Sequence, residues 1–142
     1  MLGASEVVEN VEIMDIRIFT LVRHTVNYQS MCQFYGDILG MTAVESWDRP
    51  RSRGTVFSPA GAVTGATVEI LQLHGVGVPG VAPVNVVLTL FVVDAQAAHD
   101  QLQRAGAKVV RGLEVTPWGH RSFGIDDPDG LRIWIVEVLP GD

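Results

Sequence analysis

The sequence predicts an α+β fold of two tandem βαβββ modules. Each would be a short mixed sheet with its helix on the convex side and a concave face left open. Three observations support this reading. The same order of strand-like and helix-like segments occurs twice. Each helix-like segment stops at a glycine, Gly40 in the first copy and Gly106 in the second. A stretch rich in glycine and proline separates the copies. The expected division is an N-terminal arm at 1–13, a first module at 14–74, a linker at 75–84 and a second module at 85–142, together forming one domain.

Residues 16–22 alternate and are rich in strand formers. In residues 28–39, Met31, Phe34, Tyr35, Ile38 and Leu39 recur every three to four positions, which predicts an amphipathic helix with Asn27 as N-cap. Strands are expected at 41–46, 55–58 and 66–73, the first two joined by an Arg-rich loop and the last two by a glycine-rich turn at 59–65. The second copy opens with a strand at 85–92. Asp94 is the expected N-cap of a helix at 95–105 whose Ala98, Leu102 and Ala105 share one stripe. Strands are expected at 108–111, 120–125 and 131–138. The last two are joined by Asp127-Pro128-Asp129-Gly130, a turn with proline second and glycine fourth.

Composition narrows the function. Hydrophobic residues make up 47% and charged residues 18% of the chain, enough for a packed interior. The longest apolar stretch, from Val86 to Val93, is interrupted by Thr89, and a membrane span needs roughly 18 or more apolar residues. Residues 1–10 carry Glu6 and Glu9 and no basic region, so they do not read as a secretory signal. With a net charge of −6 and Lys108 as its one lysine, the chain lacks the broad basic face that a nucleic-acid partner requires. The lone Cys32 excludes an internal disulfide and a cysteine-rich zinc site, and reads as a buried helix residue in a reducing, cytoplasmic compartment.

Two segments resemble a known family. Phe34-Tyr35-Gly36-Asp37-Ile38-Leu39-Gly40-Met41 is similar to the first helix end of the glyoxalase, fosfomycin-resistance and bleomycin-resistance proteins. Pro117-Trp118-Gly119-His120-Arg121-Ser122-Phe123, followed by the turn at Asp127–Gly130, resembles their second-half signature. Their order and spacing inside a repeat identify the chain as a member of the vicinal-oxygen-chelate superfamily, which includes the extradiol dioxygenases. The resemblance implies two modules forming an eight-stranded cup with helices outside, usually within a homodimer. In metal-dependent members four ligands, mostly His and Glu, sit on the first and last strands of the modules. Carried over by motif, those positions fall on Thr20, Glu69, Val87 and Trp134. Only Glu69 retains a ligand side chain, whereas a divalent ion needs about three converging donors. The resemblance is therefore nearest to the metal-free, bleomycin-resistance-like branch, with no metal and no cofactor expected.

Of the histidines, His24, His74 and His99 read as solvated or capping groups, whereas strand alternation puts His120 on one face with Ser122 and Gly124. The resemblance turns that face into the cup. The expected ligand-binding set is Thr20, Glu69, Val87, Thr89, Phe91, Trp118, His120, Ser122 and Trp134, with Trp47 also near the mouth. Trp134 offers a stacking surface, and Glu69 offers a charge for a ligand amine or hydroxyl or a general base, unless Arg17 or Arg53 pairs with it. The repeat leads one to expect Trp134 and Glu69 in one cavity. The leading functional expectation is a metal-independent protein that sequesters an aromatic, partly apolar small molecule as a homodimer. The alternative is an enzyme of isomerase, lyase, cyclase or dioxygenase type, with Glu69 and His120 as catalytic candidates or with a displaced metal site. A purely protein-binding role has no sequence feature in its favour.

Overall fold

The computed structural model describes residues 14–59 and 65–141. The expected arm at 1–13 and most of the glycine-rich turn lie outside the described residues. The first module contains β1 (Phe19–His24), α1 (Tyr28–Gln33) running into a π-helical turn (Phe34–Ile38), then β2 (Thr42–Asp48), β3 (Ser52–Ser58) and β4 (Ala66–Leu73). Its sheet has the order β1-β4-β3-β2. The second contains β5 (Leu88–Phe91), α2 (Ala95–Arg104), β6 (Val109–Val115), β7 (His120–Asp126) and β8 (Arg132–Val138), with the order β5-β8-β7-β6. In both sheets the first strand runs parallel to the last, and the other pairings are antiparallel. This is the predicted pair of βαβββ modules.

Several boundaries differ from the sequence expectation for identifiable reasons. β3 begins at Ser52 because Gly54 does not break the strand; it makes room for Trp47. A Cβ at Gly54 would stand 2.2 Å from Trp47 Cζ2, so the indole lies directly on the bare backbone. β5 begins at Leu88 because Asn85 adopts φ 60, a left-handed conformation that no strand continues. Asn27 occupies the N-cap of α1 but its side chain does not cap; Nδ2 donates instead to Asp129 Oδ1 at 2.9 Å. Asp94 does cap α2, accepting from the Ala97 backbone N–H at 3.0 Å. Gly40 and Gly106 end their helices with φ 77 and φ 95, values that disfavour any side chain.

Each sheet has a core face and an open face. Met31, Phe34 and Tyr35 bury against Phe57, Val68 and Ile70 in the first module, and Leu102 buries against Phe123, Ile125, Ile133 and Ile135 in the second. All eleven belong to one hydrophobic cluster. The sheets therefore turn their helix-covered faces toward a common interior, and no helix or strand among the described residues covers their other faces.

A buried charge joins the modules. Arg23 of β1 donates to Asp127 through Nε at 2.8 Å and Nη2 at 3.1 Å, a two-pronged contact between modules. Tyr35 OH adds a third hydrogen bond to Asp127 at 2.9 Å, and the backbone N–H groups of Asp129 and Leu131 donate at 2.9 and 3.0 Å. Asp127 thus fixes its own turn and also ties that turn to the first module. Burial, and then the Asp127 charge, push the Tyr35 phenol well above its ordinary pKa. Burial pulls Arg23 down, but its bond and attraction to Asp127 outweigh this and leave it raised. Gly130 completes the turn with φ 92, packed so closely that a Cβ would meet Ala82 Cβ at 2.8 Å.

Candidate functional site

The open face of the second sheet holds a cavity of about 510 Å³, within the range of small-molecule sites. Its floor follows from strand register. Thr89 lies beside Trp134, and Val136 lies between Phe91 on one side and Ser122 on the other. The period of two then puts all five on one face, together with His120. The walls come from β6 and the loop that follows it, which supply Arg111, Glu114, Thr116 and Trp118. Trp134 lies over Gly124 of the neighbouring strand, where a Cβ would come within 3.0 Å of its Cζ3. Arg132 covers the same indole, its Cζ 5.5 Å from the ring centre, and is itself held by Asp126 at 2.6 Å. The ring is thereby braced in place before any ligand arrives. His120 is half-buried, and its backbone N–H donates to Thr116 Oγ1 at 3.0 Å, fixing the loop that carries Trp118.

Six residues expected from sequence line this cavity together: Thr89, Phe91, Trp118, His120, Ser122 and Trp134. Val87 is exposed just before β5 and borders an adjacent depression that also touches Trp134. Thr20 and Glu69 lie elsewhere, on the open face of the first sheet. Thr20 is beside Thr67, their hydroxyls 2.9 Å apart, and Glu69 is beside Val22. Within one chain Trp134 and Glu69 therefore do not share a cavity. They belong to different sheets, and the sheets meet through their opposite faces. Glu69 is half-buried and has no hydrogen bond or ion pair among the described residues; Arg17 binds Asp15, and Arg53 binds Gln72 and covers the Tyr28 ring. Trp47 also belongs to the first sheet, where its Nε1 donates to Ser52 Oγ at 3.2 Å.

Sequence reasoning missed Arg111 and Glu114. Three positions apart on a regular strand they would point to opposite faces. β6 is irregular between Val109 and Arg111 and again between Arg111 and Glu114, so Arg111 pairs with Gly124 and Glu114 with Ser122. Those partners are two apart on β7, which brings both charges to the cavity side. Gly112 is the only hint of this in the sequence.

The donor set for a metal is poor. Thr20, Glu69, Val87 and Trp134 supply one carboxylate and one hydroxyl between them, and that hydroxyl is already bonded to Thr67. Among the described residues no three His, Cys, Asp or Glu side chains come together in a way that could hold an ion. His99, a remaining imidazole, packs edge-on against Phe123 at 5.1 Å and contacts Asp100 at 3.1 Å, far from the requirements of a ligand cluster. Cys32 borders the core, where burial pushes its thiol up. No helix among the described residues is long and apolar enough to cross a membrane.

Fold and cavity together define a protein built from two repeated βαβββ modules, each sheet with one open face, the second of which holds the cavity. The chain belongs to the glyoxalase/bleomycin resistance protein/dioxygenase superfamily, whose model matches residues 17–135. It is 28% identical to a lactoylglutathione lyase of Neisseria meningitidis over 89% of this chain and 94% of that protein. A superfamily member from Sphaerobacter thermophilus matches in structure with TM-score 0.67 and 25% identity, covering 84% of this chain and 95% of that one. TnmS3, an antibiotic binding protein from Streptomyces, superposes with TM-score 0.67 at 23% identity over 90% of this chain and 98% of its own, a likeness of fold.

Proposed function

We propose that the protein is a metal-independent binder of an aromatic, partly apolar small molecule, held on the open face of the second sheet. The braced Trp134 carries this reading. An indole fixed over Gly124, with Phe91 and Trp118 beside it, is a platform for a flat ring system, at the position onto which the family's last-strand carboxylate ligand carries over by motif. The antibiotic-binding role of TnmS3 supports the same reading by likeness of fold. A direct test is calorimetric titration of chelator-treated protein with methyl anthracene-2-carboxylate, a flat neutral probe. Saturable binding at one per chain is expected.

In this reading the protein works as a homodimer that completes each cup with the first-module face of a second chain. Phe19, Phe91 and Trp118 are 72%, 67% and 71% exposed, an unusual amount of aromatic surface for a monomer. Thr20 and Glu69 would then reach the ligand from the partner chain. Light scattering at micromolar concentration is expected to give the mass of two chains, and a stable monomer would remove this part of the reading.

An enzyme is the second reading, favoured by the lactoylglutathione lyase relatives and by Glu69, which has no partner among the described residues and could act with His120 as an acid–base pair in such a cup. Turnover that Glu69→Gln abolishes while binding survives would establish it.

A further inference from the structure

We propose that Arg111 selects the ligand, and that the ligand is a planar aromatic acid whose carboxylate Arg111 receives while its rings lie on Trp134. The proposal rests on the small-molecule reading above and narrows it to a chemical class. Bulges in a strand re-aim side chains, and β6 carries two register shifts whose effect is to turn Arg111 into the cavity. Once there, Arg111 roots beside the indole. A Cβ at Gly124 would stand 3.2 Å from Arg111 Cβ and 3.0 Å from Trp134 Cζ3, so the bare glycine seats both side chains.

The other strand arginines of this sheet are engaged. Arg132 pairs with Asp126 at 2.6 Å and Arg121 with Glu137 at 3.5 Å. Arg111 has no hydrogen bond or ion pair among the described residues. A guanidinium presents a planar fork of donors that matches a carboxylate, and a carboxylate conjugated to a flat ring system lies near the plane of the rings. Rings stacked on Trp134 would therefore carry the acid edge-on toward Arg111. Glu114, also without a partner among the described residues and on the same face, repels an anion and so fixes which way round the acid lies.

The test titrates the full-length protein with anthracene-2-carboxylate and with its methyl ester, for the wild type, Arg111→Gln and Arg111→Lys. The acid is expected to bind about tenfold to a hundredfold more tightly than the ester, the range of a charge-assisted hydrogen-bonded pair. Arg111→Gln should bring the acid down to about the ester's affinity while weakening the ester far less, and Arg111→Lys should retain part of the preference. Arg111 is exposed, so both variants are expected to melt with the wild type. Equal binding of acid and ester by the wild type would mean that Glu114 neutralises Arg111, and would overturn the proposal while leaving the binding reading intact. Loss of both ligands in Arg111→Gln would also overturn it. Failure of both compounds to bind the wild type would remove the binding reading and this proposal with it.

Discussion

Replacing Asp127 with alanine is expected to destabilise the protein by about 3–5 kcal/mol, the cost of removing one partner from a buried ion pair. Three separate losses combine. Arg23, 8% exposed, would keep its charge with no partner in the junction. The Tyr35 hydroxyl, on a fully buried side chain, would lose its acceptor. The turn would lose the carboxylate that organises the Asp129 and Leu131 backbone N–H groups. Most small domains have only about 5–15 kcal/mol in total, so the variant should be close to its limit at room temperature. Urea denaturation of the two proteins measures the difference. Asp127→Asn should fall between them, since an amide oxygen still accepts from the turn but cannot balance Arg23. A loss below about 1 kcal/mol for Asp127→Ala would place it among ordinary surface substitutions and show that the junction is not what holds the modules together.

The second large effect concerns binding. Trp134→Ala should weaken binding of methyl anthracene-2-carboxylate by about 2–4 kcal/mol, the range of a central aromatic anchor, or roughly 30-fold to 1000-fold. The indole is the floor of the cavity, and alanine would remove the stacking surface and expose Gly124 beneath it. The fold should survive, because Trp134 faces away from the Ile133 and Ile135 core positions that flank it. Unchanged affinity in a folded Trp134→Ala protein would relocate the ligand away from this cavity.

The architecture was legible in the sequence because it rests on patterns that repeat. Glycine stops, turn chemistry at Asp127–Gly130 and the stripes of the two helices each have a local physical cause, and the structure contains the corresponding elements. The face assignments of Thr89, His120, Ser122 and Trp134 were legible for the same reason, since regular strands alternate. What escaped depends on irregularity or on long range. The shifts in β6 break alternation, so Arg111 and Glu114 were assigned to no site. The use of Asp127 as a junction needs Arg23 and Tyr35 to meet it across 104 and 92 residues, which no local pattern encodes. The expectation that Glu69 and Trp134 share a cavity failed within one chain for a similar reason. Equivalence in a repeat says which strands correspond, not which faces of the two modules meet.

The measurement closest to the central claim combines metal analysis with ligand titration on one protein sample. The chain is purified, its divalent metal content is measured, and methyl anthracene-2-carboxylate is titrated before and after treatment with a chelator. The account predicts that metal falls well short of one ion per chain and that affinity is the same in both titrations, because the positions to which the family's metal ligands carry over by motif read Thr20, Val87 and Trp134 alongside Glu69. One tightly held ion per chain, whose removal abolishes binding or a lactoylglutathione lyase activity, would contradict it.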